Sequence, residues 1–421
     1  MDLKETLLEL VKQSLQRFSP YNLLYEQLAQ LPFNRPIYIF ALGTAAYQMT
    51  EAVLYHAQQE DFIRVTGGLV ITHYGNVKKP LPNIKTVEAN HFEPDENSLK
   101  AGEAAIEFLQ NISETDILLV LLSGGGSNLM EKPAEGFSLD TIKTRVKELI
   151  QKSAGIEEIE SERKKMSALK GGKLLQYLKV KDIYIYAMSN VPGDAPKYIA
   201  SNPFHPDAEI TIDELAADNF YRFDNLTRDK FVAKDHNIIY KIIANNQAFC
   251  DTVRKTAADT IPLLEADLLH VIMTGLSGEA AKNGYEIGNL ARLIEKQEGS
   301  GIAAFATPCL LIFGGETFVS GGHKATGGSC TELALAAVEG ISSLLNCALL
   351  AFNTKGRDGF IEGAGAVIDN HSKQALAKQG IKIKEALQKH ESYNALKAIN
   401  AIIPMENTGT SVNEIVLLYI Q

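Results

Sequence analysis

The chain has 421 residues, of which 45% are hydrophobic and 22% are charged, and its formal net charge is −10. This length and balance are typical of a soluble globular protein with two domains or more. The negative charge argues against a nucleic-acid polymer or an anionic membrane as the main partner, and the apolar runs are too short to cross a bilayer. The amino terminus is unlike a signal peptide and the four cysteines lack CxxC spacing, so we expect a reduced, cytoplasmic protein.

The first half of the chain alternates predicted strands with predicted helices. Apolar residues at helical spacing predict an amino-terminal helix that begins near Leu3. Strands are predicted at 37–40, 68–71, 117–122 and 183–188, and helices are predicted from about residue 45, around 98–110 and around 138–153. This alternation predicts an α/β fold with a parallel sheet covered by helices on both faces.

A polar stretch at about 222–235 separates this half from the rest, and we predict one domain over 1–232 and a second over 233–421. The second half contains further strand-like runs and one clear helical pattern. The predicted strands lie near 237–240, 271–273, 309–313, 348–352 and 415–420, and the helix lies at about 332–345.

The apolar run 117–122 breaks into Ser123, Gly124, Gly125, Gly126 and Ser127. Consecutive glycines allow a ligand to approach the backbone, and free N–H groups with flanking hydroxyls suit a phosphate or a carboxylate. The alternative is a glycine-rich turn without a ligand. Ligands of open α/β sheets collect at the carboxyl ends of strands, and comparable loops follow other predicted strands at 43–44, 189–194 and 314–317.

Further motifs follow one another in order along nearly the whole chain. They lie at 133–136, 163–172, 191–194, 199–201, 314–317, 327–332, 358–359, 363–366 and 408–413. In these motifs and the triglycine segment, the chain resembles the glycerate 2-kinase family. Its members carry a carboxyl-terminal MOFRL domain and were often labelled hydroxypyruvate reductases.

The resemblance implies a larger Rossmann-like domain with a parallel sheet and a smaller α/β MOFRL domain, with the active site in the cleft between them. It also implies that ATP phosphorylates the 2-hydroxyl of D-glycerate, or of a related small hydroxy acid, with Mg²⁺. The partners would then be a small hydroxy acid and a nucleotide. The sequence leaves open whether the chain forms a homodimer.

The chain departs from the family pattern at four positions in the inferred site. Thr44 replaces a family lysine and Ser329 replaces an arginine, so two cations are missing. Asn190 replaces an aspartate and brings no negative charge, whereas Lys355 replaces another aspartate and adds a positive charge. The sequence leaves open whether Lys165, Lys355 or Arg357 replaces the missing positive charges.

The family motifs suggest which residues contact the substrates. The predicted binding residues are His91, Ser123, Gly124, Gly125, Gly126, Ser127, Arg163, Asn190 and Asn413. Three of them have a structural alternative that involves no ligand. His91 would then fix a loop, Arg163 would lie on a helix surface, and Asn413 would stabilise a turn.

The predicted catalytic residues are Lys170, Asp194, Glu316 and Asp358. Lys170 would neutralise a carboxylate or phosphate, and the acidic residues would act as a general base, with Asp194 also a metal ligand. The structural alternatives are a solvated lysine and carboxylates that cap helices or brace turns.

Three functions therefore compete. The first is a glycerate 2-kinase-like phosphotransferase. The second is a hydroxypyruvate reductase, which the sequence disfavours because no GxGxxG follows a predicted strand. The third is a non-catalytic homologue that binds a sugar acid or a nucleotide, suggested by the replacements at Thr44, Asn190 and Ser329.

Overall fold

The computed structural model describes residues 2–31, 35–59, 63–152, 155–205, 213–215, 220–223, 236–296, 305–320 and 326–421. The chain forms two compact units: unit A is Pro20–Asn245, and unit B combines Met1–Ser19 with Asn246–Gln421. The predicted boundary between residues 232 and 233 lies outside the described residues. Within the described ranges, no helix is long and apolar enough to span a membrane. Helix α1 (Leu3–Arg17) opens the chain.

Unit A is an α/β unit built on one large sheet. Its elements are α2 (Pro20–Leu28), β1 (Ile37–Leu42), α3 (Ala46–Gln59), β2 (Val65–His73), β3 (Ile84–Ala89), α4 (Glu96–Gln110), β4 (Ile117–Leu122), α5 (Gly126–Leu129), α6 (Leu139–Gln151), α7 (Ile156–Met166), β5 (Asp182–Met188), β6 (Asp213–Leu215), β7 (Phe220–Phe223) and β8 (Asn237–Ala244). The strand order is β3-β2-β1-β4-β5-β8-β7-β6.

The first six strands of this order are parallel, and β7 and β6 continue the sheet antiparallel. Every residue of β4 is buried, because a central parallel strand is covered by helices on both faces. The predicted Rossmann-like parallel sheet is therefore confirmed. The structure adds β3, which the sequence analysis did not predict, and shows that the polar stretch begins within a strand, since Arg222 belongs to β7.

Unit B contains a smaller, mixed sheet. Its remaining elements are α8 (Asn246–Thr260), β9 (Leu269–Leu276), α9 (Ala280–Lys296), β10 (Cys309–Gly315), α10 (Ser329–Ile341), β11 (Cys347–Asn353), β12 (Gly365–Asp369), α11 (Ser372–Lys378), α12 (Ile383–Gln388), α13 (Ser392–Lys397) and β13 (Glu414–Ile420). The strand order is β12-β11-β13-β10-β9. Strand β13 lies antiparallel between β10 and β11, so its first residue is at the edge where β10 and β11 end.

Helix α1 belongs to unit B although it lies at the opposite end of the chain. Asp2 caps it by accepting a hydrogen bond from the Lys4 backbone N–H at 2.8 Å. The Lys4 ammonium lies 2.9 Å from the Asp369 carboxylate, and the Phe18 ring packs edge-on against Phe249 with 5.2 Å between centroids. The apolar face predicted from the sequence is therefore buried against elements of unit B.

Candidate active site

Three loops of unit A meet where the adjacent strands β1, β4 and β5 end. Gly43 directly follows β1 with φ +130°, and a Cβ there would lie 2.2 Å from the Ser123 hydroxyl oxygen. The position therefore requires glycine, both for its backbone conformation and for the closeness of the β4 loop. The parallel sheet thus brings together the loops at 43–44, 123–127 and 189–194, as the sequence analysis anticipated from strand ends.

The triglycine segment is packed tightly against these neighbouring loops. A Cβ on Gly124 would lie 2.5 Å from the Asn190 side chain, and one on Gly125 would lie 2.8 Å from the Thr44 methyl group. A Cβ on Gly126 would lie 2.6 Å from the Ala200 side chain. Close packing accounts for these glycines independently of any ligand. Gly125 and Ser127 nevertheless remain half-buried, so part of the loop reaches solvent.

Ser123 and Thr44 connect the β4 loop to the β1 loop. The buried Ser123 hydroxyl accepts a hydrogen bond from the Ala45 N–H at 3.0 Å. The Gly124 carbonyl accepts one from the Thr44 N–H at 2.9 Å and one from the Thr44 hydroxyl at 3.1 Å. These bonds hold the two loops together, so the predicted contact between Ser123 and an anion stays a prediction.

His91 and Arg163 are both brought to the short helix α5. The Asn128 side-chain amide group donates a hydrogen bond to the His91 carbonyl at 2.9 Å. The side-chain oxygen of Asn128 accepts one from the Arg163 guanidinium at 3.4 Å. Arg163 also donates to the Glu160 carboxylate at 2.7 Å. Glu160 is buried, so this ion pair holds the guanidinium in place at the end of α7. Both residues therefore lie beside the triglycine loop.

Lys170 lies in a buried ion pair with Glu131, where the two side chains are 2% and 1% exposed. The ammonium also donates to the Met130 carbonyl at 3.3 Å. The other carboxylate oxygen of Glu131 accepts from the Ser167 hydroxyl at 2.5 Å. These contacts account for a buried ammonium without a ligand, and direct contact between Lys170 and substrate stays a prediction.

Asp194 follows β5 at a half-buried position with φ +54°. One of its carboxylate oxygens accepts a hydrogen bond from the Asn245 amide at 2.7 Å. No hydrogen bond to the second oxygen occurs within the part of the chain that the structure describes, and Asn190 lies in the same loop. Asp194 thus carries an oxygen that is available to a cation or to a hydroxyl group.

Unit B has its own cluster of polar groups where β10 and β11 end. The Glu414 carboxylate is buried and accepts hydrogen bonds from the Thr317 N–H at 3.0 Å, from the Thr317 hydroxyl at 2.8 Å, and from the Ser329 hydroxyl. The pKa of Glu414 is raised to about 7, mainly by burial and also by the negative charge of Asp358, although these hydrogen bonds act to lower it. The sequence analysis missed Glu414, because a carboxylate at the start of an apolar strand shows no motif of its own.

Asp358 caps the start of helix α10. Its buried carboxylate accepts from the Cys330 N–H at 3.1 Å and from the Thr331 N–H at 2.9 Å. Burial raises the pKa of this carboxyl, and the two N–H groups lower it. The structural alternative considered for Asp358 is therefore present, and a direct role in chemistry stays a prediction.

Glu316 and Lys355 are the more accessible charged groups of unit B's cluster. Glu316 has an exposed side chain, yet enough protein surrounds it that desolvation raises the pKa of its carboxyl, while the Lys355 charge lowers it. Asn413 lies in the adjoining loop with φ +66°, and its carbonyl accepts from the Thr354 N–H at 3.0 Å and the Thr354 hydroxyl at 2.8 Å.

The three residues considered as compensating cations differ in their surroundings. Lys165 forms an exposed ion pair with Glu162 at 2.8 Å. Arg357 is exposed and donates to the Phe360 carbonyl at 3.3 Å. Lys355 is half-buried, and its charge also lowers the pKa of Asp358. Of the three, Lys355 is the one that acts electrostatically on predicted site residues.

Comparison with known proteins agrees with this architecture. Residues 6–230 match the family described as Domain of unknown function (DUF4147), and residues 309–414 match the MOFRL family. The chain is 31% identical to the D-glycerate 2-kinase of Thermotoga maritima, covering 99% of this chain and 98% of that protein. It is 32% identical to the glycerate 2-kinase of Pyrococcus horikoshii, covering 99% and 97%.

A crystal structure of glycerate kinase from Thermotoga maritima matches 100% of this chain and 99% of its own, with a TM-score of 0.81 and 29% identity. A protein named putative hydroxypyruvate reductase in Agrobacterium vitis is 32% identical over 83% of this chain and 80% of that protein. Fold and relatives together define a two-unit α/β enzyme of the kinase class. More specifically, the chain belongs to the glycerate 2-kinase family.

Proposed function

We propose that this protein transfers the γ-phosphoryl group of ATP to the 2-hydroxyl of D-glycerate or a closely related hydroxy acid. The observation that carries the proposal is the full-length match to a glycerate kinase crystal structure, with a TM-score of 0.81 over 100% of the chain. The loop clusters of both units lie at the carboxyl ends of strands, where α/β enzymes bind their ligands.

The triglycine loop is the proposed site for an anionic group of glycerate or ATP. Gly125 and Ser127 are its half-buried members, and the Ser127 hydroxyl has no hydrogen bond within the described ranges. Arg163 is already oriented by Glu160, so little side-chain freedom would be lost when it binds a carboxylate or phosphate. His91, Asn190 and Asn413 remain proposed contacts.

Proton transfer from the 2-hydroxyl requires a base, and Glu316 and Asp194 are the candidates. Desolvation raises the pKa of Glu316, which makes its carboxylate a better proton acceptor near neutral pH. Asp194 keeps one carboxylate oxygen without a hydrogen bond in the described part of the chain, and the Asn245 amide orients the group. We propose Glu316 as the base and Asp194 as a ligand.

Mg²⁺ fits the end of β5 in unit A. The Asp194 carboxylate and the Asn190 amide oxygen would hold it, and the bound ion would neutralise charge on the phosphates of ATP. The described residues contain no group of three or more His, Cys, Asp or Glu that could hold a metal. A single carboxylate suffices here, because protein-bound Mg²⁺ commonly takes its other ligands from phosphates and water.

The remaining predicted residues receive different roles in this proposal. We propose that Lys170 and Asp358 position the loops around them through their buried contacts. Lys355 supplies positive charge in unit B, where the family arginine is replaced by Ser329. We further propose a cytoplasmic location, because the four cysteines are buried and form no disulfide bond, which is typical of a reducing compartment.

The second candidate is a homologue that binds its ligands without catalysis, and the uncharged Thr44 and Ser329 favour it. One experiment separates the candidates. Purified protein is incubated with ATP, Mg²⁺ and D-glycerate while ADP and phosphoglycerate are measured, and NAD(P)H oxidation with hydroxypyruvate is followed in parallel. Kinase turnover that falls at least tenfold in Arg163→Met supports the proposal, provided that it does not fall in the control Arg145→Met, whose side chain is 41% exposed.

Turnover with hydroxypyruvate alone would replace the proposal with the reductase. Absence of turnover in both assays, with ligand-induced thermal stabilisation retained, would favour the binding protein.

A further inference from the structure

Glu414 lies in the sheet of unit B beside the ends of two neighbouring strands. It is the first residue of β13, which lies between β10 and β11. In the antiparallel register it faces Gly315, the last residue of β10, on one side and Asn353, the last residue of β11, on the other. The loops that carry Glu316 and Lys355 begin at these two residues. Glu414 thus lies between the two functional loops of this unit.

The Glu414 carboxylate uses its two oxygens on two different elements. Oε2 accepts both the N–H and the hydroxyl of Thr317, at 3.0 and 2.8 Å, and Oε1 accepts the Ser329 hydroxyl. Thr317 directly follows Glu316, and Ser329 is the first residue of α10. The side chain is 2% exposed, so water does not compete strongly for these bonds.

We infer that Glu414 is a positioning residue, which fixes the loop bearing Glu316 to the start of helix α10. The inference rests on the proposed function, because it assigns Glu414 a part in the reaction through Glu316. A buried carboxylate in this place is energetically unfavourable unless its bonds are kept, and a Thr317 N–H left unpaired would be unfavourable as well. The Ser329 hydroxyl, which stands where the family has an arginine, supplies one of those bonds.

The charged and titratable groups around Glu414 come from three elements. Asp358 and Lys355 belong to the loop after β11, Glu316 to the loop after β10, and Cys330 to α10. The Asp358 charge raises the pKa of Glu414, and the Lys355 charge lowers the pKa of Glu316, Asp358 and Cys330. Any pH profile of a Glu414 variant must therefore be compared with that of the unchanged protein.

The test compares Glu414→Ala with Glu414→Gln in the full-length protein, alone and combined with Glu316→Gln. We expect E414A to lower kcat for glycerate phosphorylation at least tenfold with less than a threefold change in KM for ATP. The glutamine variant keeps an oxygen for Thr317 and should recover most of kcat. In the E316Q background, E414A should lower kcat less than twofold further.

Equal losses from E414A in both backgrounds, or an unchanged kcat in folded E414A, would overturn the inference. Glu406→Gln is the matched control, because Glu406 is an exposed carboxylate in the segment before β13. If E414A does not fold, Ser329→Ala and Thr317→Val take its place. Each removes one hydroxyl hydrogen bond to the Glu414 carboxylate, and each should lower kcat through the same dependence on Glu316.

Amide hydrogen exchange at Thr317 distinguishes failure of this inference from failure of the proposed function. Faster exchange at this amide in E414A, or in S329A if E414A does not fold, supports the anchoring role. If the unchanged protein does not phosphorylate glycerate, the proposed function fails, and exchange at Thr317 still decides whether Glu414 anchors the loop. Unaltered exchange would overturn the inference in either case.

Discussion

The ammonium of Lys170 and the carboxylate of Glu131 meet inside unit A, with 2% and 1% of their side chains exposed. Each charge depends on the other for compensation, because burial removes both from water. Ser167 and the Met130 carbonyl complete their hydrogen bonds. Lys170 lies in the 163–172 motif that contributes to the family resemblance, so this ion pair gives the motif a structural reason to hold a lysine.

Replacing Lys170 with methionine should destabilise the protein strongly. The change leaves the Glu131 carboxylate buried and unpaired, which is expected to lower the free energy of unfolding by about 3–5 kcal/mol. Urea unfolding followed by circular dichroism measures the loss. Lys165→Met is the control, since its exposed ion pair with Glu162 should contribute less than about 1 kcal/mol. Equal stability of the two variants would refute the structural role of Lys170.

Replacing Gly124 with alanine adds one methyl group, yet we expect a large loss of activity with glycerate. The new Cβ would lie 2.5 Å from the Asn190 side chain, so Asn190 and the loop after β5 must move. Because displacements of about 1 Å at a site reduce rates up to about 100-fold, we expect kcat/KM for glycerate to fall at least tenfold. Gly155→Ala is the control, since nothing lies within 4 Å of a Cβ there. Unchanged kinetics in G124A would place Asn190 outside the site.

Replacing Asp358 with alanine should weaken unit B at helix α10. The change removes the acceptor of two buried N–H groups, those of Cys330 and Thr331, and we expect a loss of about 2–3 kcal/mol in unfolding free energy. Chemical denaturation gives this value. Asp140→Ala alters an exposed acidic residue in the first turn of α6 and should change stability by less than about 1 kcal/mol. A loss no larger than that of D140A would contradict the capping role.

Glu414→Gln should change how stability depends on pH. The folded-state pKa of Glu414, about 7, lies above the ordinary glutamate value of 4.5, so the folded protein binds this proton more tightly than the unfolded chain does. The resulting stabilisation is fully present below pH 4.5 and is lost as the pH rises through about 7. Urea unfolding of both proteins at pH 5 and pH 8 should therefore show E414Q gaining about 1–3 kcal/mol relative to the unchanged protein at the higher pH. A constant difference would show that Glu414 is already ionised throughout this range.

Lys355→Met should move the acid limb of the pH–rate profile. The Lys355 charge lowers the pKa of Glu316, so its removal raises that pKa. A general base must be deprotonated to act, and the acid limb of kcat for glycerate phosphorylation should shift to higher pH. Arg357→Met removes an exposed charge from the same loop and should leave the limb in place. Coincident limbs for K355M and the unchanged protein would argue against Glu316 as the base.

Runs of apolar residues in the sequence correctly predicted strands that are buried along their whole length. The strand β4 is buried on every residue, and burial on both faces requires an unbroken apolar run that the sequence displays directly. The strand β3 was missed because it lies at the sheet edge, where only Ala89 is buried and polar residues interrupt the pattern. Helix α8 was missed because Phe249 is the one large side chain among its five buried residues, so the apolar pattern is weak.

The α/β class, the glycine loops at the ends of strands and the family resemblance could be predicted from the sequence alone, because each depends on residues close together in the chain. The tertiary structure was needed to show which unit α1 joins and that β13 lies antiparallel between β10 and β11. It also decided that the buried partners of Lys170 and Thr317 are Glu131 and Glu414. These pairings join residues 39 and 97 positions apart, and no local periodicity records which distant groups must neutralise one another once water is excluded.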